Sequence, residues 1–247
     1  MKANQIKLLY LLSIIGIVII FFIKPIQQNP DYHNFADTNE MFSIPNFWNV
    51  ISNVPFVIIG FIGIIQILKS LNRNPLKSNY LWFFIGILLT GFGSGYYHLN
   101  PNDTTLIWDR LPMTISFMSF LSIIIGELIN VASGKKLLYP LLIIGFLSIA
   151  YWVFFQDLRM YVLVQFLPII LIPIILFLSK NNLNFKKYFW LILLTYSIAK
   201  FLESYDLFIY SITFEMISGH TLKHFAAAAG LFLFYCFVKE TFLFKKN

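Results

Sequence analysis

The stretch "SGYYHLNPNDTTLIWDRLPM", Ser94 to Met113, closes one oily run and opens the next. Before it stands "YLWFFIGILLTGFG" and after it "TISFMSFLSIIIGELI". A helix needs about 20 mostly apolar residues to cross a bilayer, and both flanks supply them. The quoted segment is therefore a short polar turn between two membrane helices. Working outward, the same pattern recurs at roughly Leu8–Ile23, Trp48–Leu68, Tyr80–Tyr97, Ile107–Val131, Leu137–Phe155, Tyr161–Leu178, Tyr188–Leu202 and Ser218–Val238. The composition agrees. The chain of 247 residues is 58% hydrophobic and only 12% charged, against roughly 25% charged in a soluble domain. The expected fold is an all-α, polytopic membrane helical bundle.

Lys2 and Lys7 ahead of the first run resemble the start of a secretory signal. Lys24-Pro25 follows the run where small residues of a cleavage site belong, so an uncleaved anchor is expected. The net charge of +7 does not point to nucleic acid. Lys2, Lys7, Lys69, Arg73, Lys77, Lys135, Lys136, Lys180, Lys186, Lys187, Lys239, Lys245 and Lys246 fall at one set of span ends, and Lys24, Arg110, Arg159 and Lys200 at the other. The positive-inside bias then predicts cytoplasmic termini. Most acids lie on the outer ends, and the loop Pro25–Phe47 and the stretch after Leu202 are placed to form an outer cap. The lone Cys236 excludes an intramolecular disulfide and a thiolate zinc site.

His220 and His224 stand four apart at the outer start of the last span, on one helix face. Such a pair can share a metal ion or be two interfacial histidines bonded to carbonyls or headgroups. His98 ends the third span at the same depth, and three histidines complete the protein side of a catalytic zinc site. His33 is assigned to an outer loop. Ser94 shares the helix face of His98; its hydroxyl faces a substrate or bonds back to its own helix. Asp109 opens the fourth span, either as a functional carboxylate at the membrane edge or as a helix-start acid, paired with Arg110. Asp103 in "NPND" reads as a turn residue.

Ser94-x-x-x-His98, Asp109-Arg-Leu-Pro-Met113 and His220-x-x-x-His224, with "NFWNVISNVPF" from Asn46 to Phe56, together resemble the alkaline ceramidases. These belong to a superfamily of seven-helix membrane hydrolases that also holds adiponectin-receptor type proteins. The resemblance spans about residues 35–240. It implies a seven-helix hydrolase core (48–247), preceded by an added N-terminal transmembrane anchor (1–24) and an outer loop (25–47). It further implies a zinc amidase that cleaves ceramide or another N-acyl lipid. His98, His220 and His224 would hold Zn2+, Ser94 and Asp109 would match the catalytic serine and aspartate, and the site would face the extracytoplasmic side. The calcium-binding acidic segment of the eukaryotic members is shortened here. Asp37, Asn39 and Glu40 are the oxygen donors left for Ca2+, and Asn46 stands where that family has a glutamate. An acyl-ester hydrolase and a non-enzymatic receptor or sensor are the rival readings. A transporter is disfavoured, because the polar residues gather at one membrane face rather than the midplane.

Overall fold

The structure, a computed structural model, describes residues 3–71, 74–180 and 183–244. Lys2, Arg73, Lys245 and Lys246, used above for orientation, lie outside the described residues. Each expected apolar segment is helical. In chain order the helices are α1 (Ala3–Phe22), α2 (Phe47–Ile51), α3 (Val54–Lys69), α4 (Lys77–Leu99), α5 (Asp103–Leu128), α6 (Val131–Phe155), α7 (Arg159–Leu178), α8 (Leu183–Ser204), α9 (Asp206–Ile212) and α10 (Gly219–Phe244). A single 3-10 turn, Pro30–His33, interrupts the loop before α2. Among the described residues there is no strand.

Among the described residues, six spans are long and apolar enough to cross a membrane: α1, α2 and α3 taken together, α5, α6, α7 and α10. The other two long helices, α4 and α8, have 23 and 22 residues. At about 1.5 Å per residue they match the roughly 30 Å hydrocarbon layer. Their apolar runs are diluted by glycine, tyrosine and serine. The chain is thus an all-α, multi-pass integral membrane bundle.

Three boundaries differ from the sequence reading. The second span is broken at Ser52–Asn53, ahead of Pro55 in the first turn of α3, because proline lacks the N–H a continuous helix needs. The seventh span, expected to be the shortest, runs the full length of α8, and the mixed stretch after it folds into the short α9. α5 starts at Asp103, ahead of the expected Ile107, so Asp109 lies in its second turn instead of opening it; Asn102 is the cap, its side chain accepting from the Thr104 and Thr105 amides while Thr105 Oγ1 accepts from the Asn102 amide, a capping box that satisfies free N–H groups.

α4 is central, packed between α3 and α5, while α10 lies against α8 and α3. α6 and α7 back α5, and α1 packs chiefly against α7. Hydrocarbon is as apolar as leucine, so membrane helices associate through close packing of small residues. Gly93 shows this. A Cβ there would lie 1.9 Å from the Trp108 carbonyl oxygen, so only glycine lets α4 approach the start of α5 so closely. The end of the bundle farther from that contact is filled by aromatic rings around the fully buried Phe234, which meets Phe83, Phe120 and Phe189 at 5.0, 5.4 and 5.9 Å between centroids.

Candidate metal centre and cavity

The polar end is built from four helix termini. His98 occupies the last turn of α4, and His220 and His224 the first turns of α10. Ser218 accepts from the Thr221 amide and caps α10, and Asp206 Oδ1 accepts from the His220 amide at 2.7 Å. Both bonds answer N–H groups that a helix start leaves open. The three imidazoles, 122 residues apart in chain at their widest bond, meet here. Their ring centroids are 4.9, 5.3 and 5.0 Å apart, all three are buried, and one nitrogen from each lies within 4.8 Å of the others. His98 Nε2 and His220 Nε2 are 3.3 Å apart. Such a triad can hold a metal ion.

The residues behind the rings come from the α2–α3 break. Ser52 Oγ lies 2.7 Å from His224 Nδ1, and both groups are buried. The serine hydroxyl in turn donates to the Asn49 carbonyl at 3.2 Å, so it accepts from the ring N–H. That leaves His224 Nε2 as the free donor atom. Asn49 Oδ1 accepts from Thr221 beside the triad, and Asn46 Nδ2 donates to the His98 carbonyl at 2.8 Å. Asn46 adopts the left-handed conformation, φ 49°, which asparagine tolerates better than most residues. Phe35, from the loop before α2, stacks edge-on against His98 and His220 at 4.8 and 4.4 Å. Sequence reasoning marked "NVISN" as a family segment and assigned its side chains no part. Its signal was three polar residues, Asn49, Ser52 and Asn53, spaced for one face of an otherwise apolar run.

Ser94 and Asp109 face each other across the Gly93 contact, the serine hydroxyl set beside the carboxylate. Both line a cavity of about 310 Å³ that His224 also borders. The depths of the cavity are apolar, with Phe83, Phe117, Phe120, Ile172 and Leu231 in its wall. It lies between α5, α7, α8 and α10, and α7 and α8 touch each other only slightly. Near Asp109 the wall carries a charge cluster that sequence reasoning missed. Glu203 accepts from Lys200 at 2.6 Å and from Lys223. Lys223, between His220 and His224, has no part in the sequence reading. Arg110 does not pair with Asp109; it turns toward aromatic rings instead.

The remaining candidates fall away from this centre. His33 bridges the Tyr97 hydroxyl at 2.9 Å and Asp103 at 3.0 Å, pinning the outer loop to α4 and α5. Asp37 is fully buried, and its Oδ1 accepts from the Asn39 amide. Burial, and the nearby Asp206, push the Asp37 carboxyl above its ordinary value despite that bond. The Asn39 amide group is spent on the Tyr210 hydroxyl, and Glu40 is exposed. Asp37 Oδ2 is buried without a hydrogen-bond partner.

An integral membrane bundle with a metal-competent histidine triad, a carboxylate–serine pair and an apolar cavity beside them has the parts of an intramembrane hydrolase of lipids. Residues 33–241 match the ceramidase family profile, and the chain belongs to the ceramidase family. Ceramide hydrolysis is that family's general activity. The matched residues begin after α1. Comparison with curated proteins finds no match for the chain.

Proposed function

We propose that the chain is a zinc-dependent amidase that hydrolyses the N-acyl bond of ceramide-like lipids to a fatty acid and a sphingoid base. The observation that carries this is the 3.3 Å separation of His98 Nε2 and His220 Nε2. Zinc–imidazole bonds of about 2.0–2.1 Å in a tetrahedron put ligand nitrogens about 3.3–3.4 Å apart. The donor set supports the same reading: three neutral imidazoles suit zinc, and Ser52 fixes the tautomer of one of them from behind. Bound there, zinc supplies a Lewis acid and an acidified water.

The chain's own groups then divide the work. Asp109 takes the proton from the attacking water as its oxygen adds to the amide carbon, and returns a proton to the nitrogen as the C–N bond breaks. Ser94, beside that carboxylate, turns its one hydroxyl hydrogen to the developing oxyanion as Asp109 becomes protonated. The acyl chain occupies the apolar depths of the cavity, and the slight contact between α7 and α8 is its entry from the bilayer. Residues 1–24 serve as an anchor and 25–47 as an outer loop over the core 48–247. The distribution of Lys and Arg supports cytoplasmic termini and an extracytoplasmic site.

Metal analysis of the purified protein, paired with hydrolysis of N-acyl and O-acyl lipids of equal chain length, tests this reading. One zinc per chain and preferential amide cleavage are expected. His98→Ala loses both metal and activity. Asp109→Asn keeps the metal and loses about 10²–10⁴ in turnover, the scale of general acid–base catalysis. A folded protein without stoichiometric metal, or full turnover in Asp109→Asn, would sink it.

A further inference from the structure

Arg110 is a polar cavity residue that this mechanism leaves unused. It lines the cavity next to Asp109 and is only 6% exposed. None of the ion pairs among the described residues includes it. Three aromatic rings enclose its guanidinium instead: Trp152, Tyr161 and Tyr32, at 4.7, 4.9 and 5.1 Å from Cζ. Ring faces attract the charge but accept none of its in-plane N–H bonds. Nη1 is buried without a hydrogen-bond partner, and so is the indole Nε1 of Trp152. Guanidinium and indole can only donate, and buried polar groups are as a rule hydrogen-bonded. These donors are short of an acceptor.

The charge balance of the cavity points the same way. Its wall carries Arg110, Lys200 and Lys223 against Asp109 and Glu203. Glu203 is engaged by both lysines, so the wall holds an excess positive charge in an apolar setting. A neutral lipid amide would leave that excess uncompensated. An anionic group on the ligand would remove it and supply the missing acceptor, and the guanidinium fork suits carboxylate and phosphate alike.

We propose that Arg110, within its enclosure of Tyr32, Trp152 and Tyr161, is the recognition subsite for an anionic group on the lipid amide. This rests on the amidase reading above and narrows its substrate to a ceramide-like amide bearing a carboxylate or a phosphate. The group sits at the polar end of the ligand, because Arg110 adjoins Asp109 while the acyl chain fills the depths.

The test uses the zinc-loaded protein in lipid nanodiscs and three amides with one acyl chain: a neutral N-acyl sphingosine, its 1-phosphate and an N-acylglycine. Wild type is expected to favour one anionic amide over the neutral one by about 10- to 100-fold in kcat/KM, the scale of one or two charge-assisted hydrogen bonds. Whichever anionic amide wins identifies the group as phosphate or carboxylate. Arg110→Gln brings that ratio toward one, mainly through KM, and Arg110→Lys restores part of it. A wild-type preference for the neutral amide, or a ratio that survives in Arg110→Gln, overturns the proposal. Cleavage of none of the three would defeat the amidase reading, and the subsite is then judged by binding. Palmitate should raise the wild-type Tm more than hexadecanol does, and lose that advantage in Arg110→Gln; equal shifts in wild type overturn the subsite even if the variant fails to fold.

Discussion

Ser52→Ala removes one oxygen from the back of the triad and touches neither metal position nor cavity. In the wild type that oxygen accepts from His224 Nδ1 at 2.7 Å, with serine and histidine both buried. Alanine leaves the ring N–H with no acceptor in a place water does not reach, a loss of about 1–3 kcal/mol. The ring is then free to turn or to switch tautomer, which puts the N–H where the lone pair belongs. Loss of such a supporting partner lowers metal affinity by about 10- to 100-fold, or about 1.4–2.7 kcal/mol, within the same range. Chelator competition on the purified protein reads this directly, and circular dichroism checks that the helices persist. A zinc affinity within about threefold of wild type in a folded Ser52→Ala protein would refute the reasoning, because the Ser52 bond would then not be what orients His224.

Two further outcomes are expected. Gly93→Ala forces a Cβ to 1.9 Å from the Trp108 carbonyl, so α4 and α5 must separate. Overpacking of this kind costs about 1–3 kcal/mol or more and parts Ser94 from Asp109. Gly95→Ala meets nothing nearer than 4.0 Å and should be tolerated, so equal Tm and activity in the two variants would contradict the packing. Asp157, between α6 and α7, is pushed up by burial, but bonds from the Arg159 amide and side chain and from the Ile26 amide outweigh this and hold its carboxyl below the ordinary 3.8. A lowered folded-state value gives stability that is present above the unfolded value and lost as pH falls through the folded one. Asp157→Asn should therefore be about 1–2 kcal/mol less stable at neutral pH, with the gap closing as pH falls below the ordinary 3.8 through the lowered folded-state value; a gap that persists in acid would exclude the carboxylate as its source.

Much of this architecture was legible in the residues. The eight apolar segments are helices, and Ser94, His98, Asp109, His220 and His224 all lie at one end of the bundle because hydropathy places polar residues at span ends. The spacing of His220 and His224 alone puts both rings on one helix face. Other parts were not legible. The Lys200–Glu203–Lys223 cluster joins two helices, and "HTLKH" gives no sign that its lysine faces a cavity. The outer loop is similar: Asp37, Asn39 and Glu40 are near in sequence, but Asp37 is buried, Asn39 bonds the Tyr210 hydroxyl and Glu40 faces solvent.

The sequence by itself determined that this chain spans a membrane, which segments form the spans, and which end of them carries polar groups. Those properties follow from the transfer of single segments out of water, which each segment decides alone. Only the tertiary structure decided that α4 meets α10, that Ser52 stands behind His224, and that Tyr32, Trp152 and Tyr161 from three separate segments close around Arg110. Between helices already in lipid there is no difference in hydrophobicity to read, so neighbours are chosen by the fit of small residues such as Gly93 and by polar pairs. That choice belongs to pairs of surfaces and leaves no trace in either segment read alone.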